Sequence, residues 1–372
     1  MRLCKNRPAR LTRVREVASV AKRVLGIAVM IVVLVILVGA VGLWRAGELR
    51  ILAPHFAGSC AALPMAANAT DIRVDAARHV AYLSYLDTRS LLSGKHTHGT
   101  VMLLDLNATE PHIRAALVSD PANFRPRALS LYASPKDVER LFVVSGVRAG
   151  EYSVEIFQQT ETGAFAPTET IRDPLLVSPT AILAVGPRQF YVTDDAEMAN
   201  GWPRVKELFV WSGRSKVLYF DGQKLTTVAN GLDRATGLAA TADGRRLYVS
   251  EAGAKQLHVY DRDLQTAALR SDEVIALDSA PGEINVDSRG NLWIAAHPKA
   301  LTLLWHLHSG TRKAPTQVLK LSPAAHGNER ITEVYLNRGE QLSAGSVAAV
   351  YNARMVLGAL EERQLLVCEL PR

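Results

Sequence analysis

Few residues in this chain have types and spacing that suggest chemistry by themselves. His96-Thr97-His98 could chelate a transition metal, but no third ligand lies nearby in the sequence, and a solvated loop is the preferred interpretation. Asp194 and Asp195 form an acid pair that is typical of a turn. The sequence contains no Gly-x-Ser-x-Gly, His-Glu-x-x-His or phosphate-binding glycine loop. Short motifs therefore predict no reaction.

The first 44 residues predict a membrane anchor. Residues 1–23 carry eight basic side chains and one acidic side chain, while the rest of the chain is electrically balanced. The basic excess is therefore a local arm, and no nucleic-acid-binding surface is expected. Residues 24–44 are uncharged, and a helix of this length at about 1.5 Å per residue spans roughly 30 Å of hydrocarbon. A cleaved signal peptide is the alternative, but the run is long and ends in Trp44 and Arg45.

The positive-inside rule gives this anchor a direction and separates the cysteines. It predicts a basic cytoplasmic arm, a single span, and an extracytoplasmic remainder. Cys4 then lies on the reducing side, whereas Cys60 and Cys368 lie on the oxidising side, near the two ends of the globular part. We expect the two outer cysteines to form a disulfide, and two free buried thiols are the alternative.

Residues 45–59 are expected to form a short stalk, and residues 60–372 one closed all-β domain. Short apolar or alternating runs are separated by turn signals, as in hairpins. A strand, an Asp/Gly turn and an aromatic-containing strand recur in residues 237–249 and 283–294. Six similar strand starts lie roughly 46 to 63 residues apart, at Asp71, Ala128, Ala181, Gly237, Glu283 and Ser346. This period predicts a six-bladed β-propeller, whose seam a Cys60–Cys368 bond would staple.

Several segments of this domain occur in an order that resembles a known family. They are Gly99-Thr100-Val101-Met102-Leu103-Leu104-Asp105-Leu106-Asn107, Ile182-Leu183-Ala184-Val185-Gly186-Pro187, Leu257-His258-Val259-Tyr260, Asn285-Val286-Asp287 with Asn291-Leu292-Trp293, and Gly345-Ser346-Val347-Ala348-Ala349-Val350-Tyr351. Together they resemble the paraoxonases, which are calcium-dependent lactonases and aryl esterases. The resemblance runs from about Cys60 to Leu370. It implies a six-bladed propeller, an uncleaved hydrophobic N-terminus, a closing Cys60–Cys368 disulfide and calcium in the central tunnel.

The resemblance also implies where the calcium ligands belong. Ca²⁺ requires six to eight oxygen ligands, several of them anionic. The catalytic-calcium positions of the family correspond to Thr70, Thr180, Thr236 and Glu283, and only Glu283 is a carboxylate. Asp71 remains from the set that holds a second, structural calcium, and the family's two catalytic histidines fall at Arg127 and Gly146. Because a hydroxyl is a poor ligand and Arg127 would repel a dication, we expect calcium to be weak or absent at the central site.

Three residues have two interpretations each. Glu283 is either a metal-free acid or base whose pKa is raised by burial, or the ion-pair partner of Arg127, which we prefer. Asp71 either holds a residual structural cation or caps a turn. His297 resembles a histidine of the family's active-site wall, but a hydrogen-bonded structural residue is preferred.

Three functions remain open at this point. The resemblance puts first a membrane-anchored, paraoxonase-like hydrolase of small apolar esters or lactones, although most calcium-ligand and histidine positions are replaced. The second is a metal-free propeller enzyme that uses an acid such as Glu283, like strictosidine synthase in the same broad superfamily. The third is a non-catalytic propeller that binds a lipid-like molecule or a partner at the membrane surface.

Overall fold

The computed structural model describes residues 9–134, 137–146, 151–195, 213–322 and 330–371. Cys4, with the first residues of the basic arm, lies outside the described residues. One long helix, α1 (Ala9–Arg45), opens the described chain. Its segment Lys22–Arg45 is apolar, 24 residues long and not buried against the rest of the protein. By length and composition it is a candidate membrane span, which contains the predicted span 24–44.

The remaining chain forms six antiparallel sheets around a tunnel, so the predicted six-bladed propeller is confirmed. Two N-terminal strands, β1 (His55–Phe56) and β2 (Ser59–Pro64), join the last two blades. Blade 1 contains β3 (Ile72–Asp75), β4 (Val80–Tyr85), β5 (Thr100–Asp105) and β6 (Ile113–Ala115). Blade 2 contains β7 (Pro126–Ser134), β8 (Asp137–Ser145), β9 (Ser153–Gln159) and β10 (Phe165–Ile171). Blade 3 contains β11 (Pro179–Ala184), β12 (Phe190–Asp195), β13 (Ser215–Phe220) and β14 (Leu225–Leu232).

The second half of the ring repeats this order. Blade 4 contains β15 (Ala235–Ala240), β16 (Arg246–Glu251), β17 (Gln256–Arg262) and β18 (Leu269–Ala276). Blade 5 contains β19 (Ala280–Val286), β20 (Leu292–His297), β21 (Thr316–Ser322), β22 (Arg330–Asn337) and then β1. Blade 6 contains β23 (Gly345–Tyr351), β24 (Arg354–Ala359), β25 (Gln364–Glu369) and then β2. Each of the six predicted unit starts lies within three residues of the beginning of an innermost strand.

The ring closes where β2 pairs with β25. Cys60 lies directly opposite Cys368 in this antiparallel pair, and the two residues form a disulfide that bridges 308 positions of the sequence. The predicted disulfide is therefore confirmed, and the alternative of two free thiols is wrong. The bond joins the first and last strands of the propeller, so the ring cannot open at its seam.

The core is divided among the blade interfaces. Each of the six neighbouring pairs of blades, including blades 6 and 1, encloses its own cluster of buried apolar side chains. A middle strand such as β12 is buried on both faces because a neighbouring blade packs on each side. This packing explains why many strands are continuous apolar runs rather than alternating ones, and it makes burial the main stabilising contribution to the ring.

In the part of the chain that the structure describes, two short helices lie at one end of the propeller. α2 (Thr88–Leu92) connects β4 with β5, and α3 (Ala300–Ser309) connects β20 with β21. Because neighbouring strands are antiparallel, both connections lie at the end where the innermost strands begin. We call this end the upper face. The sequence showed no lasting helical periodicity here, which agrees with one-turn and three-turn lengths.

Residues 45–59 differ from the expected stalk because they pack on the propeller. The backbone N–H of Ala300 donates to the carbonyl of Ala46 at 2.9 Å. The carboxylate of Glu48 accepts hydrogen bonds from the N–H and the hydroxyl of Thr302, at 2.9 and 2.7 Å. β1 then adds a fifth strand to blade 5. Hydrogen bonds and strand pairing therefore fix the residues that follow α1 to the upper face, and these residues do not form a free spacer.

Candidate functional site

The centre of the tunnel is occupied by the guanidinium of Arg73. Successive side chains of a strand point to opposite faces, so Asp71 and Arg73 at the start of blade 1 point to the same side. Nη2 of Arg73 lies 3.1 Å from Oδ2 of Asp71 and 2.9 Å from Oε2 of Glu283. The side chains of Arg73, Asp71 and Glu283 are 12%, 0% and 9% exposed. Blades 1 and 5 are thus joined through a buried ion-pair triad.

The remaining donors of Arg73 are directed at backbone and amide oxygens. Nε donates to the carbonyl of Leu129 in blade 2 at 2.7 Å. Nη1 donates to the carbonyl of Ile284 at 2.7 Å and to Oδ1 of Asn285 at 3.4 Å. A guanidinium has five N–H donors, and here five oxygen atoms from three blades face them. We call Arg73 and these five oxygens the hub.

The two carboxylates of the hub differ in their other contacts. Oδ2 of Asp71 also accepts from the N–H of Leu129 at 2.7 Å, and Oδ1 accepts from the N–H of Ile72 at 2.8 Å. Burial raises the pKa of Asp71 above its ordinary value against the opposing attraction of Arg73. Burial and then the neighbouring Asp71 charge raise the pKa of Glu283 well above its ordinary value. Glu283 is therefore the hub group that most readily takes a proton.

The residues at the starts of the innermost strands form hydrogen bonds from blade to blade. Each hydroxyl donates to a backbone carbonyl of the next blade at 2.7 to 2.9 Å, in the pairs Thr70 to Arg127, Thr180 to Ala235, Thr236 to Pro281 and Ser346 to Thr70. The three threonines that the sequence resemblance assigns to calcium-ligand positions are all members of this set. Their hydroxyl protons thus stabilise contacts between neighbouring blades around the mouth of the tunnel.

The predicted ion pair between Glu283 and Arg127 is wrong, because Arg73 occupies that role. Nη1 of Arg127 donates to the hydroxyl of Tyr152 at 2.9 Å, and its guanidinium carbon lies 5.9 Å from the centre of the same ring. Arg127 begins blade 2 near the tunnel mouth and turns toward an aromatic side chain of its own blade. Arg73 extends deeper from blade 1 and reaches both carboxylates.

His297 lies at the end of β20, opposite Ala280 at the start of β19. It is 8% exposed, and its Nδ1 has no hydrogen-bond partner among the described residues. Burial, followed by the nearby His306, lowers the pKa of His297 to about 4, so the ring is neutral at physiological pH. No hydrogen bond between described residues links His297 to the hub, and the expected hydrogen bond of a structural histidine is not formed at Nδ1.

Sequence reasoning missed Arg73, although a signal was available. The triplet Asp71-Ile72-Arg73 opens a predicted strand, and its alternation places the arginine beside the acid. The other chemical pairs of the sequence have local roles. Nε2 of His98 lies 3.4 Å from Oδ2 of Asp120. Asp194 lies in β12 rather than in a turn, and its carboxylate accepts from the two backbone N–H groups that directly precede β11. The described residues contain no group of three or more His, Cys, Asp or Glu that could hold a metal ion.

Comparisons with known proteins agree with this architecture. The Arylesterase family model matches residues 78–370. Serum paraoxonase/arylesterase 1 of Rattus norvegicus is 30% identical over 278 residues, which cover 73% of this chain and 77% of the relative. Mechanosensory abnormality protein 6 of Caenorhabditis elegans is 30% identical over 251 residues, 66% of each chain.

A solved structure shows the same fold at lower identity. The luciferin-regenerating enzyme superposes with a TM-score of 0.51 at 12% identity, covering 84% of this chain and 95% of that chain. At this identity the likeness concerns the propeller fold alone. The family match, in contrast, extends over most of the chain and over every blade. The chain therefore belongs to the arylesterase family, which includes the serum paraoxonases.

Proposed function

We propose that this protein is a calcium-independent, membrane-anchored member of the family that binds a small apolar or lipid-like ligand. The observation that carries the proposal is the hub, where Arg73 faces five oxygen atoms from three blades. A fixed cation at this place supplies the positive charge that the family's tunnel would otherwise obtain from a metal. On this proposal the protein does not carry out calcium-assisted hydrolysis.

The residues at the hub do not fit the calcium ion that the family implies. Ca²⁺ requires six to eight oxygens at 2.3–2.6 Å, and anionic ligands among them. Both hub carboxylates face the guanidinium of Arg73, which stays charged at any physiological pH. A dication bound to the same carboxylates would be repelled by that guanidinium at close range. The threonine hydroxyls are neutral and already donate to neighbouring blades.

The upper face is suited to an apolar ligand. α1 leaves the propeller on this face, and the basic arm before it favours a cytoplasmic N-terminus with the propeller outside. The upper face then lies toward the bilayer. On α3, Trp305 is 56% exposed, and Leu301 and Leu304 are only partly buried. An apolar surface beside the anchor favours ligands that partition into the membrane.

The family relationship favours a second candidate function, which is metal-free hydrolysis of an ester or lactone. The raised pKa of Glu283 places a carboxyl group that can carry a proton in the tunnel. Family membership alone does not decide the question. One relative is named as an arylesterase, whereas another of equal identity is named for a mechanosensory abnormality.

The test is an assay of full-length protein in detergent on an aryl acetate and a medium-chain lactone, with calcium and with chelator. We expect saturable binding of the lactone and no turnover above the buffer rate in either condition. Turnover that requires calcium contradicts the proposal. Turnover that resists chelator and is abolished in Glu283→Gln, but not in the exposed control Glu110→Gln, supports the second candidate instead.

A further inference from the structure

A cavity of about 520 Å³ lies where α1 meets the propeller. It is bounded by the last residues of α1 and by upper-face loops of blades 4 and 5. Four cationic side chains line it, Arg45, Arg50, Arg234 and Lys255, against the single carboxylate of Asp278. The cavity is thus strongly positive although the propeller as a whole is electrically balanced.

The one carboxylate is already paired. Nη2 of Arg50 lies 3.1 Å from Oδ2 of Asp278, and Nη1 donates to the carbonyl of Asp278 at 2.9 Å and to Oγ of Ser279 at 2.8 Å. Asp233 is 1% exposed and does not line the cavity. Among the described residues that line the cavity, Asp278 is thus the single carboxylate, and Arg50 is its ion-pair partner.

The other three cations of the lining form no ion pair with a described residue. Among the residues that the structure describes, no carboxylate lies within ion-pair distance of Arg45, Arg234 or Lys255. Nε of Arg234 is buried and has no hydrogen-bond partner in this part of the chain. Burial, followed by the nearby positive charge of Arg50, lowers the pKa of Lys255 against the weaker attraction of Asp278, and Arg45 adds to the lowering. A buried donor and mutually repelling cations are costly unless an anion binds between them.

The position of the cavity indicates the source of that anion. Arg45 is the last residue of the candidate span, and the neighbouring Trp44, which also lines the cavity, is 70% exposed. Tryptophan and arginine at a span end belong at the level of lipid headgroups. Arginine fits phosphate oxygens with paired hydrogen bonds. Apolar side chains in the lining, such as Leu49 and Leu277, suit the glycerol and upper acyl part of a lipid.

We propose that this cavity binds the phosphodiester headgroup of an anionic phospholipid. The lipid would bridge Arg45 of the anchor and Arg234 with Lys255 of blade 4, so that it holds the upper face at a fixed angle to the bilayer. Choline headgroups carry a cation that these side chains repel, and selectivity for anionic lipid follows. The site is separate from the hub and does not depend on whether the protein hydrolyses anything.

The test uses the full-length protein in a non-ionic detergent, because the cavity includes the end of α1. Dihexanoyl phosphatidylglycerol, dihexanoyl phosphatidylcholine and inorganic phosphate are each titrated by calorimetry. We expect saturable binding of phosphatidylglycerol and binding of the other two that is weaker by about tenfold or more. Equal binding of the two lipids overturns the proposal. Inorganic phosphate that binds as tightly as phosphatidylglycerol assigns the cavity to free anions and also overturns it.

A pair of matched variants locates the binding. Arg234→Gln with Lys255→Gln should weaken phosphatidylglycerol binding by about tenfold or more. Lys224→Gln with Arg245→Gln removes the same charge from exposed turns at the opposite end of the propeller and should leave binding unchanged. An equal loss in both double variants would make net charge responsible, and the cavity would not be the site. The lipid comparison on the wild-type protein decides the matter even if a variant does not fold.

Discussion

Replacing Arg73 by alanine should destabilise the propeller more than any other single substitution of a tunnel arginine. The change leaves two carboxylates buried without their cation and removes the guanidinium donors that face the five hub oxygens, of which Oδ2 of Asp71 keeps only the N–H of Leu129. Removing one partner of a buried ion pair costs about 3–5 kcal/mol in the free energy of unfolding. For a domain of this size, about 2 °C of Tm per kcal/mol gives a fall of about 6–10 °C.

The matched control for this experiment is Arg127→Ala. Arg127 also lines the tunnel mouth, but it pairs with Tyr152 and with no carboxylate of the described residues. Loss of one such hydrogen bond costs about 0.5–1.5 kcal/mol, so its Tm should fall by only a few degrees. Arg73→Lys retains the charge without the planar donor fork and should lie between the two.

Calcium sensitivity makes the same experiment specific to the hub. Thermal unfolding is followed by circular dichroism with millimolar calcium and with chelator. The wild type should give the same Tm in both, whereas Arg73→Ala should gain stability from calcium, because its carboxylates then lack a cation. A wild-type Tm that falls in chelator would refute the reasoning, as would an Arg73→Ala protein as stable as Arg127→Ala.

Three further predictions concern the seam and the titrating groups. Replacing Cys60 and Cys368 together by serine should lower the free energy of unfolding by up to about 5–6 kcal/mol, the chain-entropy value for a loop of 308 residues, in urea titrations without reductant. Because the pKa of Glu283 is raised in the fold, its proton contributes fully to stability below pH 4.5, and this contribution is lost as pH rises through the folded pKa. The free energy of unfolding of Glu283→Gln should therefore decline less than that of wild type above pH 4.5. The pKa of His297 is lowered to about 4, so its contribution is full above pH 6.5 and lost as pH falls toward 4, and His297→Gln should resist that acid loss.

Each of these predictions has an outcome that contradicts it. Urea midpoints equal for the oxidised wild type and the double serine variant would remove the seam from the account of stability. Parallel pH–stability curves for Glu283→Gln and wild type would mean that the carboxyl group is not perturbed in the fold. If the free energy of unfolding of His297→Gln falls between pH 6.5 and 4 as steeply as that of wild type, groups other than His297 cause the loss.

The architecture was predictable because it depends on patterns that repeat. A closed ring follows from six similar strand starts, from the turn signals between them and from two cysteines at the ends of the domain. Each predicted start lies within three residues of the beginning of an innermost strand. Residues 45–59 were not predictable as packed, because their contacts with Thr302 and with β22 are made by parts of the chain more than 200 positions away. A short segment after a span resembles a spacer until its distant partner is known.

The site was predictable only in part, for a similar reason. The position-by-position resemblance identified acid or amide positions of the family that are threonine here, at Thr70, Thr180 and Thr236, but it could not show that their hydroxyls join the blades. The resemblance identified Glu283 as a remaining acid, but the ion-pair partner predicted for it was Arg127 instead of Arg73. The sequence shows two arginines of equal charge, Arg73 and Arg127. Which of them reaches Glu283 depends on how deep in the tunnel its backbone position lies.

The most direct test of the account is a measurement of calcium in the protein itself. Full-length wild-type protein, purified without chelator and dialysed against metal-free buffer, is measured by inductively coupled plasma mass spectrometry and then titrated with Ca²⁺ by calorimetry. With Arg73 as the cation of the hub, we predict substoichiometric calcium after dialysis and no binding tighter than millimolar. A full equivalent of retained calcium, or binding in the submicromolar range, would contradict the central claim.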